Sequence, residues 1–333
     1  MGMRRLGALQ ERERGASDDI PSKDLPGQVR ELLSSAQWQS LSGTKHSDVL
    51  KKLQLIADVG CPPMMVLSSK ALARQGYLPS FSEGLALDAR TVLQEDAVII
   101  FVSHRWLRSS EQQPDSEDRT KFKALIAFAH YYEHYYNSGW GGGAAAAAAS
   151  GREPKRNVYF WIDYSCIDPE NIQDGIQSLP LYVASAMDLL IFDTSDYSER
   201  AWCSTELTLA YKFMFAGRIP WVVGASLAET PVRPDLFRVR PEERLLRDPT
   251  GGLLSSEGDR SHVEGLVRCA VDANAWVGGE DRALEFGKTT ISAQTVMAPQ
   301  EYSEKYATAR RAAMAARRKK LVGSGNSGGC AQS

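Results

Sequence analysis

Four short apolar runs, each separated from the next by a stretch with helical spacing, do most to constrain the fold of this 333-residue chain. They are AVIIFVS from Ala97, VYFWID from Val158, DLLIFD from Asp188 and IPWVVG from Ile219. None alternates apolar with polar residues, the pattern of a strand with one wet face. They read instead as strands buried on both faces. Helical spacing fills the gaps around Asp118 to Asn137 (Phe122, Leu125, Ile126, Ala129, Tyr132), about Gln177 to Met187, and Arg200 to Ala216. Strand and helix in alternation imply right-handed crossovers and an α/β fold, a flavodoxin-like parallel sheet with helices on both faces.

The flanks read differently. Residues 1–24 are polar and without hydrophobic period, as in a disordered leader, and 25–90 read as a helical N-terminal region. Its helices carry Val29, Leu32, Leu33 and Ala36, then Val49, Leu50, Leu53 and Ile56 between a Ser47 cap and a Gly60 stop, with a third over Ser69 to Gln75. The α/β domain takes 91–225. It contains a low-complexity insertion at 139–155 that includes GWGGGAAAAAAS and is read as a surface loop. Residues 226–300 form a C-terminal extension with a helix from Ser261 to Trp276 and an ambiguous stretch at 286–297. Residues 301–333 give a basic helix, Tyr302 to Lys320, and a flexible tail.

Bulk properties exclude several classes. The net charge of -2 exerts no general pull on nucleic acid, and no stretch approaches the roughly 20 apolar residues of a membrane span. The five cysteines are widely spaced with no CxxC pair, which fits a reducing, cytoplasmic setting without a structural zinc knuckle. A terminal Cys-Ala-Gln-Ser has the outline of a prenylation signal at Cys330, although Gln332 stands where an aliphatic residue belongs.

In a doubly wound sheet of this order, ligands sit outside the carboxyl ends of the two central strands. The residues leaving the first central strand are Ser103, His104, Arg105 and Trp106, and those leaving its neighbour are Asp193, Thr194, Ser195 and Asp196. The helix that follows opens RAWCSTEL, with Trp202 and Glu206 one turn apart and its first amides available to an anion. HYYEH, residues 130–134, matches a zinc-peptidase pattern. It lies in an aromatic crossover helix, where its residues read as packing and surface groups. The glycines of 139–143 follow a helix rather than a strand, so the dinucleotide fingerprint they suggest is set aside.

Three motifs in order, FVSHRW, WIDYSCID and SERAWCSTEL, resemble the Toll/interleukin-1 receptor (TIR) superfamily and the TIR-like fungal heterokaryon-incompatibility (HET) domains. The resemblance spans about residues 91 to 225. It implies an NAD glycohydrolase that releases nicotinamide and ADP-ribose or its cyclic form, with NAD as substrate and no cofactor or metal. Glu206 would be the catalytic carboxylate, and Ser103, Arg105, Trp202 and Asp193 would line the ligand. Self-association and a role in innate immune signalling belong to the same picture. The alternative is a non-catalytic TIR or HET-like module that signals by assembly alone.

Overall fold

The structure is a computed structural model that describes residues 24–43, 45–93, 97–137, 157–214, 219–229, 232–273, 276–277 and 280–298. The leader before Asp24, the 139–155 insertion, the basic helix from Tyr302 and Cys330 lie outside the described residues.

Among the described residues the chain is α/β, with eleven helices and an eight-stranded mixed sheet. The strands are β1 (Met65–Ser68), β2 (Leu87–Asp88), β3 (Ala97–Ser103), β4 (Asn157–Trp161), β5 (Asp188–Asp193), β6 (Trp221–Gly224), β7 (Arg238–Leu245), β8 (Trp276–Val277), β9 (Glu280–Asp281) and β10 (Thr290–Met297). The large sheet runs β2-β1-β4-β3-β5-β6-β10-β7, and β8 and β9 form a separate two-stranded pair.

This corrects the wholly parallel sheet expected from the sequence. The five inner strands β4, β3, β5, β6 and β10 are mutually parallel. Antiparallel strands are added at the margins, β1 on β4, β2 on β1, and β7 on β10. The margins are where an otherwise parallel sheet accepts antiparallel partners, because no crossover helix is needed to reach them. The segment 25–90 thus supplies two strands besides its helices, and 226–300 supplies β7 and β10 to the same sheet.

Burial follows the sequence runs. All seven residues of β3 are buried, as are the first five of β5. Phe101 of β3 stacks on its register partner Trp161 of β4, with ring centroids 4.3 Å apart. Trp221 of β6 gathers Phe128, Tyr131, Tyr132 and Tyr135 of helix Thr120–Asn137 at 5.6 to 6.0 Å. Each such ring pair contributes about 0.5–1.5 kcal/mol beyond its buried area. The tyrosines of HYYEH are therefore core residues, while His130 and His134 are exposed.

Helix Thr120–Asn137 starts where it does because its free amides are met locally. The Asp115 carboxylate accepts from the Lys121 and Phe122 amides at 2.8 and 2.9 Å, and Ser116 Oγ accepts from the Thr120 amide at 3.0 Å. Helix His46–Asp58 begins one residue before the expected Ser47 cap and has no side-chain cap of its own. His46 Nε2 instead contacts the Ala97 carbonyl at 2.6 Å, tying the helix start to β3. No helix among the described residues is long and apolar enough to cross a membrane.

Candidate functional site

Helix Ala201–Phe213 is buried along almost its whole length, so its polar side chains must find partners inside the protein. Glu206 finds Ser103. The Ser103 hydroxyl, at the carboxyl end of β3, donates to Glu206 Oε2 at 2.6 Å. Tyr197 OH lies 2.5 Å from the same serine oxygen, so the phenol donates to Ser103 and the three form a chain. Ser103 and Tyr197 are buried, and Glu206 is 8% exposed. Burial pushes the Glu206 carboxyl well above its usual range, and the Asp163 charge adds to this against the Ser103 hydrogen bond and the Lys121 charge. Burial thus favours the neutral form of Glu206, as it does the neutral forms of Tyr197 and Cys203.

A second, charged cluster adjoins this neutral one. His104 Nε2 lies 2.9 Å from Asp163 Oδ1, and the Trp106 indole donates to Asp163 Oδ2 at 2.8 Å. Burial would raise the Asp163 carboxyl, but the charge and hydrogen bond of His104, the Trp106 indole and the Tyr164 amide hold it at about 2. Lys121, fully buried, places Nζ 2.6 Å from His104 Nδ1 and donates to the carbonyls of Arg105, at 2.8 Å, and Pro114. Burial brings its ammonium down to about 7, against the opposing charges of Asp163 and Asp115.

The remaining sequence-predicted residues have partners within the chain. Arg105 forms an ion pair with Asp196, whose second oxygen accepts from Thr194 Oγ1 at 3.0 Å. Asp193 is held bidentately by Arg244 of β7 at 2.9 and 3.1 Å, with the guanidinium 5.7 Å over the Tyr197 ring. Trp202 packs with Val263 and Val267 of helix Arg260–Asp272 and donates to Asp259 at 3.2 Å. Trp202 and Glu206, which the helical spacing placed on one face, thus engage different neighbours.

The amino end of helix Ala201–Phe213 is met by protein rather than left for an anion. The Ala201 amide donates to the Leu253 carbonyl at 2.9 Å, and the Leu253 amide donates to Glu199 at 2.7 Å. A Cβ on Gly252 would fall 2.7 Å from the Ala201 Cα, so only glycine lets this segment approach so closely.

The structure therefore joins Ser103 to Glu206 directly, sets Arg105 and Asp193 in ion pairs at the carboxyl ends of β3 and β5, and turns Trp202 toward the C-terminal extension. Lys121, Tyr197 and Arg244 complete the site without a prior signal, since a buried lysine in TKFK or an edge-strand arginine in RVRPEERL looks like surface in sequence. Asp163 and His104 stood inside two of the recognisable motifs. Among the described residues, no group of three or more His, Cys, Asp or Glu side chains is arranged to hold a metal ion. Compared with family models, curated proteins and solved structures, the chain matches none.

Proposed function

We propose that this is a TIR-like, flavodoxin-ordered NAD glycohydrolase with Glu206 as its catalytic carboxylate. The observation that carries the reading is the place of Glu206: its carboxyl reaches from the helix after β5 to Ser103 at the end of β3. That spans the switch point between the two central parallel strands, where doubly wound sheets bind nucleotides. Titratable groups held far from their usual ranges, as Glu206, Lys121 and Asp163 are, concentrate at such sites.

The chemistry asks little else of the protein. The bond from the ribose carbon to nicotinamide breaks with its electron pair on the ring nitrogen, which neutralises the cationic ring. Water then bonds the ribose carbon and releases a proton, giving nicotinamide and ADP-ribose. Glu206 serves as the carboxylate opposite the developing ribose cation, and the positive nicotinamide ring favours the ionised carboxyl as it approaches. Ser103, released from Glu206, becomes free to bond the ribose. Self-association, a cytosolic setting and a role in defence signalling complete the proposal.

One observation favours a second reading. Glu206 is buried, pushed toward its neutral form and already hydrogen-bonded, as a purely structural glutamic acid in a non-catalytic TIR or HET-like module would be. Nicotinamide release from NAD by concentrated protein, compared between wild type and Glu206→Gln, separates the two. Release by wild type alone supports catalysis. No release by either, or equal release by both, leaves the non-catalytic module.

A further inference from the structure

We infer that Lys121 and His104 form a positioning pair that pins the loop after β3, and Arg105 with it, at the carboxyl end of the sheet, the buried Lys121 nitrogen holding both ends of the loop tip. The loop leaves β3 at His104 and returns to helix Thr120–Asn137 through Pro114 and Asp115. Both ends of its tip, the carbonyls of Arg105 and Pro114, are bonded by the one Lys121 ammonium. Between them the Leu107 amide donates to Pro114 and the Arg108 amide to Gln113, each at 3.2 Å. Arg105 from this loop reaches Asp196 at the end of β5.

The hydrogen count fixes the number of protons on the pair. The contacts of Lys121 Nζ and the His104 ring with the Arg105 and Pro114 carbonyls, with Asp163 and with each other take four hydrogens, which an ammonium beside an imidazole and an amine beside an imidazolium supply equally. The other ring nitrogen faces Asp163, whose carboxylate only accepts, so Nε2 carries the imidazole proton. This assignment follows from the network of partners. When the pair loses its one positive charge, one of these contacts is left without a hydrogen. A change of tautomer cannot repair this, because it would turn the bare Nε2 onto the Asp163 carboxylate.

The groups around the ammonium are His104 and Arg105 beyond β3, Asp115 before helix Thr120–Asn137, Asp163 after β4, and Cys203 and Glu206 on helix Ala201–Phe213, with the Phe192 ring of β5 5.6 Å away. Burial, the dominant influence on Lys121, brings it to about 7, so relief of the buried charge outweighs the hydrogen bond lost with it, and the closed loop gains on an open one that wets the ammonium as pH rises through 7. That the pinned loop serves a substrate site rests on the NAD reading, whereas the clamp itself does not.

Amide hydrogen exchange on the full chain at pH 6 and pH 8.5, corrected for intrinsic rates, tests it without any nucleotide. Protection at Leu107 and Arg108 is expected to rise about tenfold at the higher pH, because opening the loop is there coupled to uptake of a proton by Lys121, while the middle of helix Thr120–Asn137 keeps its protection. Lys121→Met is expected to show the low value at both pH values. Equal or lower loop protection at pH 8.5 in wild type, or Lys121→Met keeping the wild-type pH 8.5 protection, overturns the inference. The wild-type comparison decides the matter even where the variant does not fold. A pinned loop in a protein that releases no nicotinamide would fail the NAD reading and leave the clamp standing.

Discussion

Ser103 at the end of β3 donates its hydroxyl to Glu206 on helix Ala201–Phe213 at 2.6 Å, with Tyr197 behind it. This bond ties the end of β3 to the helix that follows β5. It favours the ionised carboxylate, and burial of Glu206 works against it toward the neutral acid.

Glu206→Gln keeps a carbonyl oxygen for Ser103 and adds no charge, so it is expected to fold within about 1 kcal/mol of wild type at pH 7. Glu206→Ala strips the partner from Ser103 and opens a void, at a cost of about 2–4 kcal/mol. Denaturant melts of the two variants read this directly. Because the folded-state carboxyl is raised by burial, its contribution to wild-type stability is complete below the unfolded value of about 4.3 and lost as pH rises through the folded one. Glu206→Gln therefore gains on wild type as pH climbs from 5 upward. A constant difference from pH 5 to 8 would mean that Glu206 ionises normally.

Lys121 acts in the opposite sense. Its ammonium falls from 10.5 to about 7 in the fold, so the unfolded chain binds more protons between those values and stability rises with pH across that window. Subtracting Lys121→Met from wild type cancels most other groups and leaves a slope approaching about 1.4 kcal/mol per pH unit between pH 7.5 and 9. Urea midpoints at three pH values measure it, and a flat difference would place the lysine in water.

Much of this was legible in the chain. AVIIFVS and DLLIFD occupy β3 and β5 residue for residue, because central strands buried on both faces need unbroken apolar runs. The meeting of Ser103 with the helix carrying Glu206 followed from topology alone. The margins were not legible. β7 carries RVRPEERL with most of its residues exposed, and its Pro241 is tolerable only on an edge strand, so no alternation marks it. β1 is four residues long, below the length at which periodicity speaks. Lys121 was hidden for a different reason: the sequence gives the period of a helix but not which polar side chain finds three acceptors beneath a loop.

Asp163 governs the acid side. Its carboxyl drops from 3.8 to about 2 through His104, Trp106 and the Tyr164 amide, which together outweigh burial, so the stability it supplies is present above pH 4 and lost as pH falls through 2. About a third of the side chain meets solvent, which trims the value to about 1–2 kcal/mol. The difference between wild type and Asp163→Asn is expected to shrink by that amount between pH 4 and pH 2. Thermal melts across this range that run parallel would show that the carboxylate draws no stability from its partners.

Arg244 joins the C-terminal extension to the carboxyl end of β5. It reaches from β7 to grip Asp193 with two nitrogens while Glu242 accepts from its Nε at 2.6 Å, and its side chain is only 17% exposed. A bidentate pair this sheltered exceeds an ordinary surface ion pair, so a double-mutant cycle of Arg244→Ala and Asp193→Ala is expected to return a coupling of about 1–2 kcal/mol. The single Arg244→Ala change also removes the cation from the face of Tyr197, the residue that donates to Ser103. Exchange of the Tyr197 and Glu199 amides should therefore quicken in Arg244→Ala, while amides in the middle of β3 stay protected. Additive single mutants with unchanged exchange would make the extension a passive cover, and coupled ones make it part of the frame that holds the Ser103–Glu206 bond.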